Sequence, residues 1–167
     1  MKTLTDHLSQ YALYHRDQRN IWTHLVGVPM IVLAVATLLA RPSIDIAGLP
    51  ISAATIVIIL SALFYLRLEL MFGLIMAVLM AAVLAFAQWA AGLATSAWLM
   101  IGLGGFIIGW IIQFVGHYYE GKKPAFVDDL SGLAIGPLFV TAEVVFMLGL
   151  RHDLMQAIEQ RSGSVRN

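Results

Sequence analysis

Apolar residues in this chain come in long runs rather than alternating with polar ones. Ile21 to Ala40, Ile51 to Leu66, Leu70 to about Ala91 and Ala97 to about Tyr119 carry few or no charges. A helix needs roughly 20 apolar residues to cross a hydrocarbon core, so the pattern predicts four transmembrane helices, the second of them short. Arg41-Pro42 ends the first and Arg67-Leu68-Glu69 the second, and Asn20 stands where an N-cap would open the first. A fifth run, Leu130 to Leu150, is long enough but contains Gly136-Pro137 and, mid-segment, Glu143. It is predicted to be a broken or re-entrant helical segment, with a plain fifth span as the alternative.

Ahead of the first run, Leu4, Leu8, Tyr11 and His15 recur at helical spacing. They predict an N-terminal amphipathic helix lying at the membrane surface. The polar run Arg16-Asp17-Gln18-Arg19-Asn20 then turns the chain into the membrane. Gly105-x-x-x-Gly109 and Gly132-x-x-x-Gly136 permit close helix packing. The expected organisation is an all-α integral membrane domain over residues 1–167: an interfacial helix and turn over 1–19, a membrane bundle over 20–150 and a cytoplasmic tail over 151–167.

Composition agrees with that reading. Of the 167 residues, 60% are hydrophobic and only 12% charged, and mean hydropathy is +0.84, outside the range of soluble globular domains. Zero net charge gives no reason to expect a nucleic-acid partner. The lack of cysteine excludes disulfides, thiolate zinc sites and iron–sulfur clusters. The first 20 residues do not have a signal-peptide layout, so a bacterial inner membrane is expected, although an endoplasmic reticulum protein would look the same. With the N-terminus cytoplasmic and four crossings, Lys2, Arg16, Arg19, Arg67, Lys122 and Lys123 lie inside and only Arg41 outside. A fifth segment that returns to the side it left adds Arg151, Arg161 and Arg166 to the inner set, as the positive-inside rule favours.

Ionisable groups at membrane depth are costly and usually face a functional interior. His24 lies one turn into the first span; Gln113 and His117 lie near the end of the fourth, with Glu120 just beyond. Gln113, His117 and Glu120 share one helical face. Four crossings bring His24, His117 and His15 to one depth at the cytoplasmic side, where three neutral imidazoles make a metal-ligand set suited to zinc, copper or iron. Asn20, Gln113, Glu120 and Glu143 are candidates to orient the ligands or to supply a fourth. His15 and His24, nine residues apart, meet only if the chain bends at Arg16–Asn20. The residues alone leave a second reading open, in which these are interfacial, hydrogen-bonded histidines. His7 and His152 are read as solvated or interfacial. Glu143, set among apolar neighbours, requires a partner. Arg16, Arg19, Lys122 and Lys123 form a basic rim able to take an anionic headgroup or a substrate carboxylate.

Tyr14-His15, Asn20, His24 and Pro29, with Gly109-Trp110, Gln113-Phe114-Val115-Gly116-His117, Glu120, Pro124-Ala125, Asp129-Leu130, Pro137 and Glu143, resemble the small membrane family of the fungal 2-hydroxy fatty acid dioxygenase. The resemblance runs from about residue 7 to 150, with the intervening spans alike in hydropathy only. One departure is His15-Arg16, where the fungal pattern has a histidine pair. The resemblance implies an iron(II)-dependent dioxygenase of fatty acid α-oxidation that uses O2 to shorten a 2-hydroxy fatty acid by one carbon. It also implies His15, His24 and His117 as iron ligands. A 2-hydroxy carboxylate offers carboxylate and hydroxyl oxygens to such an ion, and a site at interfacial depth suits a polar head on a long alkyl tail.

The alternative from another class is a non-catalytic membrane protein that binds lipid or a partner. A transporter would need a polar path through both leaflets, and the outer halves of the spans offer little beyond Ser, Thr and Gln88. Di-iron lipid hydroxylases use clusters of about eight or more histidines; this chain has five in all, which favours a mononuclear site.

Overall fold

The computed structural model describes residues 2–46, 49–129 and 131–166. It is an all-α chain with one small hairpin. Its elements are α1 (Leu4–Ala12), α2 (Gln18–Ala40), β1 (Ser43–Ile46), β2 (Leu49–Ser52), α3 (Ala53–Leu68), α4 (Leu70–Ala91), α5 (Thr95–Leu99), a π-helical stretch (Met100–Gly104), α6 (Gly105–Glu120), a 3-10 turn (Ala125–Val127), α7 (Gly132–Met147) and α8 (His152–Ser162). Leu130, which opens the fifth apolar run and belongs to the family-like pattern, lies outside the described residues.

Three helical stretches are long and apolar enough to cross a membrane: Gln18–Ala40, Leu70–Ala91 and the continuous Thr95–Glu120. α3 is apolar but only 16 residues long, about 24 Å at 1.5 Å per residue. α7 and α8 form a bent pair with an angle of 120° between them. The chain turns after α7, at Gly149 (φ +75°) and Arg151 (φ +54°), and not at Gly136-Pro137 inside the fifth run, where Gly132–Met147 forms one continuous helix. Pro137 lies inside α7 without ending it, and the Thr141 hydroxyl donates to the Pro137 carbonyl at 2.9 Å.

The chain forms two compact units, Met1–Val28 with Ile111–Asn167, and Pro29–Trp110. In the second unit, the β1–β2 hairpin pairs Ser43 with Ser52 and Ile44 with Ile51 in antiparallel register; the hydropathy pattern does not anticipate it. Ser52 and Thr55 form a capping box that opens α3. A single residue, Glu69, joins α3 to α4, and its carboxylate accepts from the Phe72 N–H at 2.8 Å. The two helices pack closely: a Cβ on Gly73 would lie 2.4 Å from the Leu66 Cα. Arg41 caps the end of α4, donating to the Leu93 carbonyl at 2.7 Å and lying 4.4 Å from the Trp98 ring.

In the first unit, Thr3 and Asp6 form a capping box that opens α1, and α1 packs against α7 and α8. The Leu4, Leu8, Tyr11 stripe is buried by protein in this way, not left to lie on a lipid surface. α1 ends at Ala12, so His15 sits in the turn after the helix rather than on it. The N-cap expectation for Asn20 is also corrected: α2 begins at Gln18, and the Asp17 carboxylate accepts the free Arg19 N–H at 2.9 Å. Residues 152–162 fold as α8, which buries Leu154 and Ile158.

Substituting Gly73→Ala drives a methyl group into the α3 backbone, which cannot rotate away. A loss of about 1–3 kcal/mol or more is expected, read as a lower unfolding midpoint in detergent; an unchanged midpoint contradicts the close packing.

Candidate metal centre

The lower part of α6 is polar inside and apolar outside. Gln113, Gly116, His117 and Glu120 are buried, while Ile111, Phe114, Val115, Tyr118 and Tyr119 are exposed. The start of α2 does the same, with Asn20 and His24 buried and Trp22 and Val26 exposed. A helix with this inverted pattern buries its polar stripe in the protein interior and leaves its apolar side outermost, the arrangement expected of a membrane helix. Gly116 lets the two stripes meet, since a Cβ there would fall 2.0 Å from the Thr23 Oγ1 and 2.5 Å from the Asn20 Oδ1.

His15, His24 and His117 are buried together, with one nitrogen from each lying within 4.8 Å of the others. The ring centroids are 4.3 Å apart for His15–His24 and 5.0 Å for both pairs that include His117. His15 is held from two sides. Its Nδ1 lies 2.8 Å from the Tyr11 carbonyl, and the Tyr11 ring stacks on it at 4.2 Å with the planes 2° apart. Gly136 leaves room for that tyrosine, because a Cβ there would meet its hydroxyl at 3.1 Å. The His24 Nδ1 lies 2.9 Å from the Asn20 carbonyl, one turn back on α2.

These contacts fix the tautomers. A carbonyl oxygen only accepts, so Nδ1 of both rings carries the proton, and the Nε2 of a neutral imidazole is then a bare lone pair. The two Nε2 atoms nonetheless face each other at 2.9 Å. Burial, then the neighbouring His24, hold His15 well below the ordinary histidine range, so it stays neutral. Two lone pairs at this distance repel unless a cation lies between them. A proton would satisfy two nitrogens; a metal ion satisfies three, and the Nδ1 of His117 is also buried without a hydrogen-bond partner. Nitrogens bound to one ion at about 2.1 Å sit about 3.0–3.4 Å apart; the His15 and His24 Nε2 atoms are at 2.9 Å, and the three donor atoms lie within 4.8 Å of one another. The donor set therefore fits a divalent transition metal.

Around the centre, the Glu120 carboxylate accepts from the Arg16 N–H at 2.8 Å, the Asp17 N–H at 2.7 Å and the Asn20 amide at 3.2 Å. It ties the turn that carries His15 to the end of α6. Asn20 also donates to the Tyr14 carbonyl at 3.1 Å, so it serves His24 through its backbone and the turn through its side chain. Gln113, 4% exposed, lies one turn before His117 and its Nε2 has no acceptor.

The four cations of the expected rim differ. Arg16 is buried; its Nη2 lies 3.8 Å from the Glu143 carboxylate and its Nη1 donates to the Gly163 carbonyl at 3.0 Å. The exposed Arg19 pairs with Asp17 at 2.9 Å and stacks over Tyr119 at 4.4 Å. Lys122 donates to the Leu13 carbonyl at 2.6 Å, and Lys123 pairs with Asp128. Glu143 thus has its partner in Arg16. The residue that sequence reading missed is Arg166, whose Nη2 lies 2.7 Å from the second Glu120 oxygen; nothing local in the tail signals it.

Fold and site define an all-α protein of membrane-helix character with a buried three-histidine centre. The chain belongs to the Mpo1-like family, described as 2-hydroxy-palmitic acid dioxygenase Mpo1-like, whose model matches residues 1–148. It is 34% identical over 170 residues to the 2-hydroxy-palmitic acid dioxygenase MPO1 of Saccharomyces cerevisiae, covering 95% of this chain and 92% of that protein. No solved structure matches.

A methyl group at position 116 would force α2 away from α6 where Asn20 and Thr23 meet it. Gly116→Ala is expected to cost about 1–3 kcal/mol and to weaken metal binding along with stability. Titration of the purified variant with a divalent metal checks this; parent-like affinity refutes it.

Proposed function

We propose that this protein is an integral membrane, iron(II)-dependent dioxygenase that cleaves the C1–C2 bond of a 2-hydroxy fatty acid. The observation that carries the reading is the pair of Nε2 lone pairs at 2.9 Å beside the unpartnered His117 nitrogen, in a member of a family described by that reaction. The reaction balances as 2-hydroxy acid plus O2 giving the acid one carbon shorter, carbon dioxide and water. C1 and C2 lose all the electrons that O2 gains, so no separate reductant is needed.

His15, His24 and His117 would hold the iron, which supplies when bound the one-electron chemistry that ground-state dioxygen requires. The Tyr11 and Asn20 carbonyls keep His15 and His24 in the ligating tautomer. Gln113 holds a buried donor ready for a substrate carboxylate oxygen. Lys122, which donates to the Leu13 carbonyl rather than to a carboxylate, attracts that carboxylate from the cytoplasmic side, while Arg19 and Lys123 are balanced by Asp17 and Asp128. Arg16 sits deeper, and its charge is balanced by Glu143. The apolar outer faces of α2 and α6 give the alkyl tail and membrane lipid a matching surface. Four crossings, with the α7–α8 pair returning to the cytoplasmic side, put this centre at headgroup depth in a bacterial inner membrane.

Purified protein reconstituted anaerobically with iron(II) should bind one iron and convert 2-hydroxypalmitate only when O2 is admitted. His15→Ala, His24→Ala and His117→Ala should each lower turnover more than about 100-fold. No turnover by the iron-loaded parent, or no stoichiometric transition metal in it, would sink the enzyme reading and leave a lipid- or partner-binding protein; parent-like activity in any of the three variants removes that histidine from the ligand set. Gln113→Leu should retain iron yet lose about 5- to 150-fold in kcat/KM, the worth of one buried hydrogen bond to a charged group at about 1–3 kcal/mol. Unchanged kcat/KM removes Gln113 from substrate binding.

A further inference from the structure

The C-terminal residues 163–166 form a strap against the turn that carries His15. Gly163, at φ +83°, ends α8 in a conformation that favours glycine and redirects the chain. The Arg166 N–H then donates to the Arg16 carbonyl at 2.7 Å, and the Gln18 N–H donates to the Arg166 carbonyl at 2.9 Å. These bonds make a short parallel bridge between Asp17 and Arg166. The Arg16 guanidinium reaches back to the Gly163 carbonyl at 3.0 Å. The Arg166 side chain, 60% exposed, places its Nη2 2.7 Å from Oε1 of a Glu120 side chain that has no solvent exposure.

The turn 16–18 is therefore gripped from two sides. Glu120 takes the Arg16 and Asp17 N–H groups through Oε2, and Arg166 holds Oε1 of the same carboxylate while its backbone takes the remaining polar groups of the turn. Oε2 accepts three bonds and Oε1 one from Arg166, so Arg166 supplies the donor at the second oxygen and completes the set that holds the carboxylate's rotation. His15 immediately precedes this turn, and its carbonyl accepts from the Arg16 Nε at 3.0 Å. The family model ends at residue 148, so the segment that makes this grip lies beyond the part by which the family is recognised.

We infer that Arg166 is a positioning residue of the histidine centre, acting through Glu120 on the Arg16–Gln18 turn to fix His15. Residues 163–166 belong to the working site rather than to a solvated tail. This rests on the histidines being a metal centre, and the test separates the two claims.

The test uses the full chain in detergent with cobalt(II) as the probe, because its visible absorption reports ligand number and geometry. Arg166→Ala is compared with Arg166→Lys and with Arg161→Ala; Arg161 joins α8 to α1 through Asp6 at 2.7 Å and does not touch the turn. Arg166→Ala should weaken cobalt binding about 10-fold or more, alter its absorption bands, and speed hydrogen exchange at the Arg16 and Asp17 amides. Arg166→Lys should restore most of the affinity and the parent spectrum. Arg161→Ala should leave spectrum and affinity unchanged even if it lowers the melting temperature. Parent-like affinity, spectrum and exchange in Arg166→Ala overturn the inference while leaving the metal centre intact. Equal losses in Arg161→Ala overturn it as well, by reducing the effect to general loosening of α8. A parent protein that binds no cobalt overturns both claims.

Discussion

The Glu120 carboxylate sits out of contact with solvent at the end of α6 and takes up the Arg16 and Asp17 amides, the Asn20 side chain and the Arg166 guanidinium. A buried carboxylate without partners is expensive, whereas one with several donors makes short, charge-assisted bonds that few alternative arrangements can satisfy. Each donor comes from a part of the chain that would otherwise be free: the turn after α1, the first turn of α2, and the segment after α8. The turn that carries His15 is placed by this group, and the Tyr11 carbonyl and ring then hold the imidazole itself. Glu120 is thus a structural anion that places the turn next to His15, although its residue type would equally suit a metal ligand.

A second constraint is the inverted patterning of α2 and α6. In a soluble protein the buried stripe is apolar, because burial itself supplies the driving force. Here Gln113, Gly116, His117 and Glu120 line the buried stripe, opposite Asn20 and His24, and the outer faces carry Phe114, Val115 and Trp22. In membrane helices small residues and polar pairs drive association instead, and the patterning of α2 and α6 is of that kind. Gly116 and Gly73 show the same device in the two units, each letting a helix approach its neighbour where a methyl group would collide.

The long apolar helices and the meeting of three histidines were legible because each depends on local hydropathy or on the few polar residues set within apolar stretches, whereas the bend expected at Gly136-Pro137 comes after α7 instead. The details that escaped depend on distant partners. Asn20 has the residue type of an N-cap, but Asp17 fills that role and the Asn20 amide serves Glu120, a hundred residues away. His15 continues the Leu4, Leu8, Tyr11 spacing, yet the helix stops at Ala12 and the histidine is carried by a turn. The β1–β2 hairpin is too short to leave a periodic signal. The tail has ordinary amphipathic spacing, and only the docked structure shows what Arg166 meets.

The order in which these pieces are made has a consequence for assembly. His15 and His24 emerge at the start of synthesis, His117 only after most of the apolar helices, and Arg166 later still. Until then the early pair is an incomplete chelate, with two mutually repelling nitrogens and no third donor. An ion that needs all three ligands could therefore be held only once α6 has been made, and its binding energy would add to the stability of the joined segments. Such an ion would act as a late staple between segments made far apart in time.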